Sequence, residues 1–549
     1  MCNMAEYSDL SVLIVDPNPG MRGSLHNMLN QASITKIDYA VSSGTAIRQL
    51  AKKPFDIILC EYDLGNGSGE NNGQDGQQLL EDLRHHKLIV PWTIFIMLTS
   101  EGVYSKVIGA AELTPTDYVL KPFTVDSLLQ RLRKAVERRD VFLPIYQLVE
   151  AGSIRRAIAD CQTGEEKNPR YAIEFARLRA ELLVQLDELA EGELVYQVIL
   201  MARPIAWAHL GMARCQFGQQ KYIEAQETLQ ELLIHNPKYM AAYDLLARTH
   251  EALGQQEAAK KILEDAVAIS PHMVHRLRHL GEVAYETGDV GVAEKAFKQV
   301  VAKAKYSEFR DPEDHVKLVK TLVKKGDANQ ASGVIRDMER SLRASANVDA
   351  CRAIAAGLLL EMTGNLTGAA AELTTAVTAI GASRGLSTGL KVGLVHSCLN
   401  VKLDQQASEL MLNLMNDTES GVSMDDAVDV FEKAGRHDLA EGMGEQIKHH
   451  VEELIAHASE QRGQGDLRAA VDTLSAALRK APANMALLPA ATSAILKQLD
   501  DLGWEVPLGE QCAFLLERMR KIDPTHPSLE ALQAQYSHTQ RKYGIATIA

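Results

Sequence analysis

Up to about residue 139 the chain alternates short β-rich apolar runs with segments whose apolar positions recur every three or four residues. SVLIV (11–15) is followed by Met21, Leu25, Met28 and Leu29, the i, i+4, i+7, i+8 spacing of a helix laid on a sheet. The pattern repeats. IDYAV precedes a helix near Thr45–Leu50, DIILC precedes QQLLEDLRHH, TIFIML precedes a helix around Ser105–Leu113, and DYVLK precedes VDSLLQRLRKAVERR. Five such units, with crossovers long enough for right-handed connections, predict a parallel sheet covered on both faces. Sites in such sheets lie beyond the carboxyl ends of the strands. Asp16, Glu61, Thr99 and Lys121 each fall at one of those ends.

Beyond residue 140 the strand signals stop and the apolar spacing becomes helical almost without interruption. Prolines recur at Pro169, Pro204, Pro237 and Pro271, a period near 34 that resembles the tetratricopeptide repeat. One copy places Tyr243, Leu246, Ala247, Gly254, Ala259, Leu263, Ala266 and Pro271 where that motif has its aromatic, its small residues and its stop. The next does so with Leu277, Leu280, Gly281, Gly288, Ala293, Phe297 and Val300. Small residues such as Gly281 and Ala293 let the two helices of a hairpin approach, Gly288 lets the chain turn, and proline stops the second helix. Weaker copies continue the series, loosest between about 380 and 455, which implies an all-α superhelix of about ten hairpins over 140–545. Such arrays bind proteins along a groove lined by the first helix of each hairpin. By position that groove includes Asp244, Arg248 and Glu251 in one repeat and His275, Arg278, Glu282 and Tyr285 in the next. Arg and Tyr are residue types that commonly anchor interfaces.

LIVDPNP, FDIILCEYDL, IMLTS and DYVLKPF stand in order in the first segment. Together they resemble the receiver domain of two-component response regulators, which implies a flavodoxin-like α/β domain over 1–139 with strand order 2-1-3-4-5. In that family an acid pair after the first strand holds Mg²⁺, an aspartate after the third accepts phosphate, a Thr or Ser after the fourth binds a phosphoryl oxygen, and a lysine before proline completes the site. Asp16, Thr99 and Lys121 match, and Tyr118 matches the aromatic whose rotamer reports activation.

Two positions depart. Pro17 stands where the second acid belongs, and proline has no side-chain oxygen for a hard cation that wants octahedral oxygen ligands. The acceptor position is Glu61, whose extra methylene carries the carboxylate out by roughly 1.5 Å. Phosphoryl transfer rests on positioning and charge neutralisation, and a misplacement of about 1 Å can cost about 100-fold. The expectation is a pseudo-receiver that works without phosphorylation, with at most weak Mg²⁺ binding at Asp16 and Glu61. Asp63, two residues on, is the alternative acceptor, although the family uses the backbone carbonyl of that position. Two roles for Glu61 stay open: it imitates the switched-on state by reaching toward Lys121, or the site has decayed and the domain survives as a docking or dimerisation module. The glycine-rich insertion GNGSGENNGQDG fits a tolerated surface loop more readily than a metal-site wall.

Composition narrows the partners. The net charge of −14, from 58 basic and 72 acidic residues, would repel a phosphate backbone, so nucleic acid is not expected. Seven scattered cysteines form no CxxC pair, which suggests neither a disulfide framework nor a zinc site. The run VLIV is too short to span a membrane and no basic segment leads into an apolar one at the start, so a soluble cytoplasmic protein is expected. His450, Glu453 and His457 share a helical face, but such spacing alone rarely makes a metal site. The basic run RLRKAVERR reads as an exposed helix face, followed by an apolar VFLPIYQLV that should dock on the repeats. No P-loop, nucleophile elbow or catalytic carboxylate pair is seen. The expected function is a non-enzymatic signalling adaptor whose repeats recruit a protein. Its rivals are a response regulator phosphorylated at Asp63 that controls the repeats, and a scaffold of a multiprotein assembly in which the receiver forms a homodimer.

Overall fold

The computed structural model describes residues 7–64, 75–100, 115–271, 273–304, 310–342, 347–382, 385–417, 420, 422, 424–481 and 484–544. The helix expected around Ser105–Leu113 and residues 65–74 of the glycine-rich insertion lie outside the described residues. The chain divides into two compact units, 1–314 and 315–549.

In the first unit β1 (Ser11–Val15), β2 (Lys36–Ala40), β3 (Ile57–Glu61), β4 (Ile94–Ser100) and β5 (Asp117–Lys121) form one parallel sheet in the order β2-β1-β3-β4-β5. Successive side chains of a strand point to opposite faces, and both faces are apolar here. Val12, Ile14, Ile57, Leu59, Ile96 and Leu98 join one buried cluster, while Leu13, Val15, Ile58, Cys60, Phe95 and Met97 join the other. The first is closed by α1 (Pro19–Asn30) and α4 (Val125–Glu150) through Leu25, Leu29, Leu128 and Leu132. The second is closed by α2 (Ser43–Leu50) and α3 (Gly76–His85) through Ile47, Leu50, Leu79, Leu80 and Leu83. The helix starts follow local chemistry. Asn18 caps α1 with Pro19 behind it, and Asp75 with Gln78 forms a capping box on α3.

α4 runs unbroken past residue 139 to Glu150, with Pro144 inside it. Its second half buries Phe142 and Ile145 against Ala157, Cys161, Phe175, Leu178 and Leu182, so VFLPIYQLV docks on the repeats as helix. Within each unit, most of the helices that follow pack on their neighbours in sequence. Pro169, Pro204, Pro237 and Pro271 each stand two residues beyond a helix, after Ile154–Lys167, Leu189–Ala202, Tyr222–His235 and Gln256–Ile269. Close approach is real at Gly281, where an added Cβ would lie 2.7 Å from the Phe297 ring.

The turn inside a hairpin is equally regular. After helix Met240–Ala252, Gly254 N–H donates to Glu251 O and Gln255 N–H to His250 O, the two bonds of a Schellman motif, with Gly254 at φ +73. The same pair of bonds recurs with Asp187, Gln220 and Lys402 in the left-handed position at φ 62, 63 and 63.

In the second unit helices continue from Ala328–Ser341 to Leu529–Lys542. No helix of the described residues is long and apolar enough to cross a membrane.

Candidate functional site

Parallel register brings the strand ends together: Val15 pairs with Cys60, Glu61 with Leu98, and Ser100 with Lys121. Asp16, just past β1, is 1% exposed. Its Oδ1 accepts the Asn18 N–H at 2.7 Å. Its Oδ2 is buried with no hydrogen bond among the described residues, and the Lys121 ammonium stands 3.8 Å away. Lys121 donates to Glu61 Oε2 in direct contact, and Glu61 Oε1 accepts the Asp63 N–H at 3.2 Å. One ammonium therefore serves two carboxylates, and the longer acid holds it.

The main chain around Glu61 is fixed from both sides. Tyr62 N–H donates to Leu98 O at 2.8 Å, and Gly76 N–H donates to Tyr62 O at 2.7 Å. A Cβ on Gly76 would lie 2.5 Å from Glu61 O and 2.8 Å from the Met97 sulfur, so only glycine fits there. Thr99 is buried and its hydroxyl donates to Ser100 O at 3.4 Å. The Tyr118 ring packs on the α2–α3 face of the sheet and its hydroxyl is buried. Asp63 is exposed, and its backbone N–H is the one that Glu61 Oε1 accepts.

Arg22 was not singled out by the sequence. Its Nη1 donates to the backbone oxygens of Asp16 at 2.6 Å and Pro17 at 3.0 Å, so a cation stands beside the position where the family has its second acid. A cation one helical turn beyond the departing proline was the signal available. Of the acids that the family offers to Mg²⁺ one is missing, since Pro17 has no side-chain oxygen, and the two carboxylates that remain, Asp16 and Glu61, share the Lys121 ammonium. Neighbouring groups feel the same crowding of acids. Burial pushes the Tyr62 phenol up to about 12, with Asp75 adding to it, and raises the Cys60 thiol, with Glu61, Asp75 and Asp16 adding to that.

On the repeats, Asp244 takes a two-point bond from Arg276, 2.8 Å at each oxygen. Arg278 makes the same arrangement with Asp314 at 2.6 and 2.8 Å, and His279 meets Glu251 at 2.6 Å. Three residues of the expected groove, Asp244, Glu251 and Arg278, are thus engaged within the array. Arg248 is exposed, while Glu282 and Tyr285 are half-buried. Arg276, overlooked in the sequence because it reads as one more surface arginine, is 2% exposed. Among the described residues no group of three or more His, Cys, Asp or Glu side chains is placed to hold a metal.

A family model for the response regulator receiver domain matches residues 12–133, and one for the tetratricopeptide repeat matches residues 241–273. Chemotaxis protein CheY-3 of Vibrio cholerae serotype O1 is 28% identical over 130 residues, which cover 24% of this chain and 94% of that protein. Chemotaxis protein CheY of Pseudomonas aeruginosa is 28% identical over 129 residues, 24% of this chain and 98% of that one. Among solved structures, a tetratricopeptide repeat protein from Parabacteroides merdae aligns with 43% of this chain and 91% of its own at 15% identity, with a TM-score of 0.31. Residues 12–133 are a response regulator receiver domain, and the chain continues from it into a mostly helical region that carries the tetratricopeptide repeat.

Proposed function

We propose that this protein is a cytoplasmic signalling adaptor in which a receiver that needs no phosphorylation is fused to a protein-binding tetratricopeptide superhelix. The observation that carries the reading is the contact of Lys121 with Glu61. In the resemblance this lysine completes the phosphoryl site; here the charge it would lend to a phosphoryl oxygen is already taken up by a carboxylate of the same chain. The ordering effect that phosphorylation has elsewhere is charge recruitment, and Glu61 supplies a permanent version of it. Asp16, Glu61, Thr99, Tyr118 and Lys121 form the pocket; Asp63, exposed, is a poor acceptor. Output runs through contacts of the repeats over 140–545, with the exposed Arg248 first among the partner-facing candidates, and not through catalysis.

The test is intact-mass measurement of the purified protein after incubation with acetyl phosphate and Mg²⁺. No added phosphoryl mass is expected. A stable gain of one phosphoryl group on Asp63 or Glu61 would instead make this a conventional, phosphorylation-driven regulator.

A further inference from the structure

Helix α3 buries Leu79, Leu80 and Leu83 in the sheet and turns Glu81 outward. Glu81 Oε1 lies 3.9 Å from His275 Nε2 and 3.9 Å from Arg276 Nη2, both on helix Val274–Glu286. Its side chain is 21% exposed. The two bases are already organised by Asp244 on helix Met240–Ala252: Arg276 is bonded to it at two points and His275 Nε2 stands 3.7 Å from Asp244 Oδ2. These helices are the first members of successive hairpins, the surface that the repeat resemblance assigns to ligands. A second contact flanks the first. The Trp92 ring, just past α3, lies 5.6 Å from the Tyr146 ring on the second half of α4.

A carboxylate taken out of water is costly unless it is paired. Burial raises the Glu81 carboxyl above its ordinary value even against the pull of Arg276 and His275, so this acid is held at a desolvated position by the geometry of the contact. Near the end of α3, desolvation lowers the pKa of Arg84, and the like charge of Arg177 on helix Ala172–Gln185, which it faces, adds to this.

We propose that α3 is an intramolecular ligand of the repeat array, anchored by Glu81 on His275 and Arg276, so that the receiver covers this part of the array's surface. This rests on reading the array as the protein-binding region. A protein that reaches the same surface must displace α3 or bring an acid of its own to the place Glu81 holds.

Hydrogen–deuterium exchange of the full chain tests it with a charge swap. Glu81→Lys sets a cation against His275 and Arg276, and His275→Glu sets an acid against Glu81; like charges placed opposite one another cost enough to open a contact. Each single variant should raise exchange in both α3 and helix Val274–Glu286 by about tenfold or more. The double variant, which combines Glu81→Lys with His275→Glu, restores one opposite-charge pair with its signs exchanged while Arg276 still faces the new cation and Asp244 the new acid, so it recovers part of the protection that the single variants lose in both segments. Because rescue requires a folded protein, it separates lost docking from lost folding. Unchanged exchange in helix Val274–Glu286 on Glu81→Lys, or a double variant that only adds the two single effects, overturns the proposal. No phosphodonor or partner enters the experiment, so its failure is distinct from failure of the adaptor reading.

Discussion

An aspartate at position 61 would end roughly 1.5 Å short of the point at which Glu61 meets Lys121. On the proposed reading, that methylene brings the carboxylate up to the ammonium and takes the room that a phosphoryl group would need between them. The strand ends, and so Asp16, Glu61, Thr99 and Lys121, were legible because short apolar runs stop at them. Arg22 was not, because what matters about it is a contact with the backbone of another segment. Gly76→Ala forces a methyl group against Glu61 O and Met97, and overpacking of this kind should cost about 1–3 kcal/mol, read as a lower midpoint in urea without a change of slope. Asp244 makes a second residue-scale case. Burial tends to raise its carboxyl, but hydrogen bonds from His275 and Arg276 outweigh that and hold it below the usual range. A depressed acid adds stability that is complete above the ordinary aspartate value near 3.9 and is lost as pH falls through the folded value. Stability of the first unit should therefore decline below about pH 4, and Asp244→Asn should flatten that decline in urea titrations run at several pH values. Asp244→Ala strands the nearly buried Arg276 and should cost about 2–4 kcal/mol, less than a fully buried pair because Asp244 is partly exposed.

At the scale of elements, the hairpin turns show what composition conveys and what it hides. Gly254 announces a left-handed position in the sequence; Gln220 and Lys402 occupy the same place in the same Schellman motif and announce nothing. A residue with a Cβ is strained in that conformation, whereas glycine is not. Gln220→Gly and Lys402→Gly should each stabilise their hairpins by about 0.5–1 kcal/mol, the gain remaining after glycine's larger loss of chain entropy. Thermal unfolding of the two variants checks this. α4 reaches further than the run VDSLLQRLRKAVERR for a related reason. Pro144 and the aromatic residues of VFLPIYQLV interrupt the helical signal, and only the cluster with Cys161 and Phe175 explains why the helix continues to Glu150. The ion pairs along the array carried a signal that spacing could have revealed. Arg276 with Asp244 and Arg436 with Asp404 are both 32 residues apart, close to one repeat, so corresponding helices of adjacent hairpins face each other.

The whole molecule joins a domain read by motif to one read by period, and the two kinds of evidence fail in different ways. Motifs located the receiver and its departures, Pro17 and Glu61; the period located the repeats but not the contact of Glu81 with His275 and Arg276, which lies far apart in the chain and follows no repeat. The cysteines report on packing throughout. Cys60, Cys161, Cys215, Cys351, Cys398 and Cys512 are all buried thiols, and burial pushes those of Cys161, Cys215, Cys398 and Cys512 up to about 12. Since the thiolate is the reactive form, iodoacetamide at pH 8 should leave these six unlabelled in the native protein and label them after denaturation, as peptide mass mapping will show. The proposed function depends on Lys121 being held by Glu61. The most direct measurement is a crystal of the protein soaked in Mg²⁺ and beryllofluoride: the expected density shows Lys121 still on Glu61 with no fluoride adduct on either acid, and a metal at Asp16 with an adduct on Asp63 or Glu61 would contradict it.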